Sequence, residues 1–118
     1  MDIEALRSYC LSFPFVTEAL PFGPDTLVFK VGGKIFLLVG IDDYQSFNVK
    51  VNPDEAFIQR ETYQGILPGY HMNKKHWNTI MIHSDVPNSV MKNLIKDSYD
   101  LVFNGLSKKI KDSLVHDV

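Results

Sequence analysis

A chain of 118 residues with eight phenylalanines and five tyrosines has the size and apolar content to bury one core unaided, which excludes intrinsic disorder and sets a single domain over 1–118 as the expectation. Its formal net charge of −2 and sole cysteine, Cys10, exclude the whole-domain basicity usual in nucleic-acid binders, an internal disulfide and a cysteine-cluster metal site. No apolar run approaches the roughly 20 residues that cross a bilayer, and the start Met-Asp-Ile-Glu lacks the basic and apolar regions of a signal peptide, so a cytoplasmic protein without a membrane partner is expected.

Ile3, Leu6, Cys10 and Phe13 recur at helical spacing, with Asp2 and Glu4 at the positive end of the helix dipole. The first helix is therefore expected to run to about Phe13, where Pro14 stops it. Cys10 lies on its apolar face and reads as a buried structural thiol. A short extended segment over Thr17 to Phe22 is followed by the turn residues Phe22-Gly23-Pro24-Asp25.

Asp25 to Val31 and Lys34 to Gly40 are β-rich runs joined by Gly32-Gly33, a two-residue connection suited to a type I′ hairpin. Leu27, Phe29 and Val31 share one face, Val28 and Lys30 the other. Lys30 and Lys34 flank the turn. After a further turn over Gly40 to Gln45, Phe47, Val49 and Val51 alternate with Ser46, Asn48 and Lys50 as a half-buried strand. Asn52-Pro53-Asp54-Glu55 combines an N-cap, a proline at the first helical position and a glutamate placed for a capping box. The second helix is expected over Pro53 to Thr62, burying Ala56, Phe57 and the aliphatic stem of Arg60.

A loop from Tyr63 to about Lys75 then feeds a strand from His76 to His83. Asp85-Val86-Pro87 reads as the start of the last helix, whose periodic residues Val90, Met91, Leu94, Ile95, Leu101 and Val102 end at Gly105. From about residue 106 the chain reads as a short basic tail, frayed by default. The sum is an α+β two-layer sandwich, a mostly antiparallel sheet with helices on one face.

The unusual chemistry is concentrated in Gln64 to Ile80, which holds His71, His76, Lys74, Lys75, Asn73, Asn78, Tyr70 and the only tryptophan, Trp77. The two histidines have no neighbouring carboxylate or thiol to complete a metal site. Nucleophile elbows and Gly-rich phosphate loops are absent from the sequence, so the expectation is a non-enzyme without cofactor or metal. Lysines with polar and aromatic neighbours suit anion recognition better. Lysines 30, 34, 50, 74 and 75 fall in the middle of the chain, where a one-sided basic face is open to them.

The run Pro68-Gly69-Tyr70-His71-Met72-Asn73-Lys74-Lys75-His76-Trp77-Asn78-Thr79, together with Pro24-Asp25 ahead of Gly32-Gly33-Lys34 and with Ser98-Tyr99-Asp100-Leu101-Val102, resembles the MmcQ/YjbR family of small bacterial proteins over nearly the whole chain. The resemblance implies a fold similar to frataxin/CyaY and DNA binding through two β-hairpin wings. Carried onto this sequence, one wing is the Gly32-Gly33 hairpin with Lys30 and Lys34, and the signature surface supplies His71, Asn73, Lys74, Lys75, His76 and Asn78, contacting duplex phosphates with little base specificity. The alternative is a small-ligand or protein-binding domain with Tyr70, His71 and Trp77 as a pocket wall. Frataxin-like iron binding is not carried over, because the first helix offers only Asp2 and Glu4.

Overall fold

The computed structural model describes residues 1–69 and 72–116. Helices α1 (Ile3–Leu11), α2 (Pro53–Thr62), α3 (Asn88–Asn104) and α4 (Lys108–His116) accompany strands β1 (Val16–Ala19), β2 (Thr26–Val31), β3 (Lys34–Gly40), β4 (Ser46–Lys50), β5 (Ile66–Pro68) and β6 (Trp77–Met81). The strands form one sheet in the order β1-β2-β3-β4-β6-β5, each neighbouring pair antiparallel. The α+β architecture is thus the expected one.

Local chemistry explains most boundaries. The Asp2 carboxylate accepts the Ala5 N–H at 2.7 Å and caps α1, which ends at Leu11, two residues short of the expected limit. Asn52 caps α2 through the Asp54 N–H at 3.1 Å, and Pro53 occupies the first turn, where its missing N–H costs nothing. Gly32 and Gly33 take φ values of 58° and 80°, the left-handed geometry a two-residue hairpin needs. Between Phe29 and Lys30 the β2–β3 register shifts: Phe29 faces Leu37 and Lys30 faces Ile35, leaving Phe36 as a bulged residue. The bulge breaks the usual alternation, so the consecutive side chains Phe36 and Leu37 are both in the core.

That core lies on one face of the sheet. Leu27, Phe29, Leu37, Val39, Phe47, Val49 and Ile80 meet Leu6 and Cys10 of α1 and Met91, Ile95 and Tyr99 of α3. Tyr99 anchors the aromatic part, with its ring edge-on to Phe36 at 5.4 Å and its hydroxyl donating to the Pro14 carbonyl at 2.7 Å. Ser98, one residue earlier, is fully buried. Its hydroxyl donates to the Phe36 carbonyl at 2.5 Å and accepts the Lys50 N–H at 2.8 Å, bridging β3 and β4 just beyond their last pair, Leu37↔Val49.

Four expectations are corrected. Phe57 is 63% exposed, and of the α2 residues only Ala56 is buried; the helix lies at the sheet margin, where a single small side chain suffices for contact. The connection from α2 to β6 contains the edge strand β5, paired to β6 through Ile66↔Ile80 and Pro68↔Asn78. Asp85 does not begin α3: its carboxylate accepts the N–H groups of Gln64 and Gly65 at 2.8 and 2.7 Å, tying the start of β5 to the approach to α3. Those two backbone donors hold the Asp85 carboxyl below its ordinary value. Finally, the C-terminal segment is helix α4, seated by buried Leu106 and by Ile110 and Leu114 packed on the core.

Two outcomes follow from these contacts. Ser98→Ala leaves a buried carbonyl and a buried N–H without their partner, so it should cost about 1–3 kcal/mol in urea unfolding, whereas Ser89→Ala, on the exposed side of α3, should change nothing. Burial pushes the Cys10 thiol from 9.0 up to about 12 and, with smaller contributions from Asp2 and Cys10, the Tyr44 phenol from 10.0 up to about 12. Both groups hold their proton more tightly folded than unfolded, so their contribution is intact below pH 9 and is lost as pH climbs to 12. The urea midpoint should fall across that interval, and less steeply in a Cys10→Ala/Tyr44→Phe variant.

Candidate functional site

In an antiparallel sheet successive turns alternate between its two ends, and the register therefore decides which side chains can act together. Lys30 pairs with Ile35 and Lys34 with Val31, beside the Gly32-Gly33 turn. Lys50 pairs with Trp77, so the end of β4 and the start of β6 lie at that same end. Residues 73–76 immediately precede Trp77 and share it. With neighbouring strands about 4.8 Å apart, β2 and β6 are three spacings, roughly 15 Å, from each other.

The turn carrying Lys74 and Lys75 is built by Asn73. Its side-chain oxygen accepts the Lys75 N–H at 2.9 Å, and its carbonyl accepts the N–H groups of His76 and Trp77 at 3.1 and 3.0 Å. The His76 carbonyl then receives the Val51 N–H at 2.8 Å, fixing the turn to the chain just beyond β4. Behind it, Gly69 donates to the Trp77 carbonyl at 2.9 Å, and an added Cβ there would lie 2.8 Å from the Trp77 Cβ. The signature glycine is explained by this close approach. Lys74 and Lys75 are exposed and His76 half-buried.

Helix α4 adds to the same end. An added Cβ on Gly32 would come within 2.5 Å of the Leu106 side chain, so the hairpin turn is pressed against the start of α4, where Lys108 and Lys109 are exposed. Lys34 and Lys50 line a cavity of about 130 Å³ together with Leu101, Val102 and Leu106. Acids near this end include Asp54 and Glu55 in the first turn of α2, Asp112 in α4, and Asp100 of α3, which pairs with Lys96 and precedes the cavity residue Leu101. The opposite end is acidic. Its turns, residues 20–25, 41–45 and 82–87, contain Asp25, Asp42, Asp43 and Asp85 and no lysine or arginine. There the charge and hydrogen bond of Asp25 raise the Asp42 carboxyl above its ordinary range.

Of the residues expected to contact DNA, the fold places Lys30, Lys34, Asn73, Lys74, Lys75 and His76 at the same end of the sheet. Asn78 is not among them: it is fully buried, and its amide donates to the Gln59 side chain at 3.1 Å and the Ala56 carbonyl at 3.4 Å. His71, like Tyr70 of the alternative pocket wall, lies outside the described residues. Trp77, the third member of that wall, is half-exposed. A groove of about 420 Å³ on the face away from the core is lined by Phe22, Thr26, Leu38, Val39, Gly40, Asn48 and Met72, and Trp77 is not one of its walls. Among the described residues no three His, Cys, Asp or Glu side chains group as a metal site, and no helix is long and apolar enough to cross a membrane.

Sequence reasoning missed Arg60. Its Nε donates to the Asn78 Oδ1 at 2.7 Å and its Nη2 to the Lys74 carbonyl, so the guanidinium joins α2 to β6 and to the lysine turn. The partners lie 18 and 14 residues away in the chain, beyond any local pattern.

A family model described as YjbR matches residues 11–101. The chain is 39% identical over 107 residues to the uncharacterized protein YbdF of Escherichia coli O157:H7, covering 90% of this chain and 88% of that one. It is 26% identical over 116 residues to the uncharacterized protein YjbR of Escherichia coli strain K12, covering 98% of each. Among solved structures, the Deinococcus radiodurans protein DR2400, which carries the DUF419 domain, superposes with a TM-score of 0.87 at 37% identity over 95% of this chain and 86% of its own. A Pseudomonas syringae protein superposes with a TM-score of 0.73 at 26% identity, over 86% of this chain and 99% of that one.

Asn78→Ala removes the acceptor of Arg60 Nε and the donor to α2, and should cost about 1–3 kcal/mol of unfolding free energy by thermal or urea melts. Asn73→Ala, whose bonds lie at an exposed turn, should cost less than about 1 kcal/mol.

Proposed function

The chain belongs to the YjbR family, and we propose that it binds duplex DNA through the basic end of its sheet, by phosphate contacts with little base reading. The observation that carries this reading is the separation of charge along the strand axis. Lys30, Lys34, Lys50, Lys74 and Lys75, with Lys108 and Lys109 of α4, surround one end, while the turns at the other end contain only acids among their Asp, Glu, Lys and Arg residues. A net charge of −2 describes the sum and not the field: a polyanion meeting the hairpin end first is attracted, and one meeting the far end is repelled. The roughly 15 Å between β2 and β6 exceeds the major-groove width of about 12 Å, so Lys30 and Lys34 on the hairpin and Lys74 and Lys75 on the turn reach phosphates on either side of a groove. In this reading the Gly32-Gly33 hairpin acts as a wing and Asn73 acts on the lysine turn's shape.

Fluorescence anisotropy on a labelled duplex tests this. Log affinity should fall linearly with log salt, with a slope near −0.9 for each phosphate engaged. Lys74→Ala/Lys75→Ala should weaken binding equally across sequences and make the slope shallower by about two. Lys92→Ala/Lys96→Ala, on the outer side of α3, should leave both unchanged. Undetectable binding, or binding indifferent to salt and to the lysine pair, refutes the proposal.

A further inference from the structure

The two arginines of the chain are treated differently by the fold. Arg7 is neutralised by Glu18, with Nη2 2.9 Å from the carboxylate. Arg60 has no carboxylate partner among the described residues, although it is half-buried, a placement that ordinarily calls for a counter-charge. Its two hydrogen bonds go to neutral oxygens, the Asn78 Oδ1 and the Lys74 carbonyl. Asn78 is itself immobilised by Gln59 and Ala56, so the guanidinium plane is fixed before any ligand arrives. Of five N–H donors, three, including both on Nη1, have no partner among the described residues.

That side chain lines a cleft of about 570 Å³ between α2 and the lysine turn, whose other walls are Pro53, Ala56, Lys74, Lys75 and His76. Every charged wall residue is basic, and the acids of the first α2 turn, Asp54 and Glu55, do not line it. A fixed planar fork in a cleft that two exposed lysines also line can meet a tetrahedral oxyanion from more than one direction, which is the donor geometry phosphate favours. The volume leaves room for whatever the phosphate is attached to.

We propose that this cleft is a discrete phosphate-binding subsite in which Arg60 is the preorganised arm, Lys74 and Lys75 close over the anion, and His76 supplies a further donor. The use of the subsite on a polynucleotide rests on the duplex reading above, but its affinity for phosphate does not. Asn78 is a positioning residue: it touches Arg60 and not the anion.

The probe is inorganic phosphate, followed in the full chain by ¹⁵N NMR at the Arg60 Nε–H and at the His76 backbone N–H, the second of which is retained in every variant. Saturable movement of both resonances is expected. Arg60→Lys, which keeps the charge and loses the fork, should weaken phosphate binding by about tenfold or more. Lys75→Glu, at an exposed position that the fold does not depend on, should weaken it at least as much and serves if Arg60→Lys melts early. Equal affinity for a duplex with 5′-hydroxyl ends and one with 5′-phosphate ends identifies the backbone as the source of the anion; preference for the 5′-phosphate identifies a terminal phosphomonoester. No saturable response to phosphate, or an unaltered response in both variants, overturns the subsite, and the duplex reading then stands or falls by its own salt dependence. Saturable phosphate binding with no duplex binding keeps the subsite and removes the duplex.

Discussion

The structure depends on one buried hydroxyl. The bulge at Phe36, in the β2–β3 pair, sends two consecutive large side chains, Phe36 and Leu37, into the core, and the β3–β4 pairing reaches only as far as Leu37↔Val49. Ser98 bridges the two strands beyond that pair by accepting from Lys50 and donating to Phe36. A helix residue thereby completes a sheet, fixing the position of α3 across the central strands. From Lys50 the constraint passes on: the next residue, Val51, donates to the His76 carbonyl, and the turn bearing Lys74 and Lys75 is held through that bond and through Asn73. The candidate surface is exposed, but its placement is set from the interior.

Topology then does what composition does not announce. Because antiparallel turns alternate between ends, charges that alternate in blocks along the chain are sorted in space. Lysines flank the β2–β3 hairpin, the end of β4 and the turn before β6; aspartates occupy the turns between β1 and β2, between β3 and β4, and before α3. The result is lysine-bearing turns at one end of the strands and aspartate-bearing turns at the other, in a chain of net charge −2. At the acidic end Asp25 stands close enough to Asp42 that its charge and its hydrogen bond raise the Asp42 carboxyl.

The family signature resolves into parts with different physical roles. Gly69 is required by the approach of Trp77, Asn73 shapes a turn, and Asn78 is a buried connector between α2, Arg60 and β6. The Lys74 and Lys75 side chains make no hydrogen bond or ion pair among the described residues, and Arg60, outside the signature, is the group that the signature positions. A motif that looks like a ligand-contacting run is thus largely a device for holding three cations around one cleft.

The sequence by itself determined the elements whose causes are local. The Gly32-Gly33 hairpin follows from backbone sterics, α2 from Asn52 and Pro53, and the buried Cys10 from helical spacing. Strand β5 was illegible because three residues carry no period, and the buried faces of α2 and α4 because periodicity shows that a face exists without showing what meets it. Phe57 is expected inward and lies outside; Leu106, Ile110 and Leu114 fall in what reads as a frayed tail and pack on the core. Lys74 and Lys75 could be chosen from composition, but their company could not: that Lys34 and Lys50 share their end is a matter of register, and that Arg60 stands beside them is a matter of a hydrogen bond to the Lys74 carbonyl, 14 residues away. Local propensity acts over a few residues, and the site is made of contacts that only the closed sheet brings together.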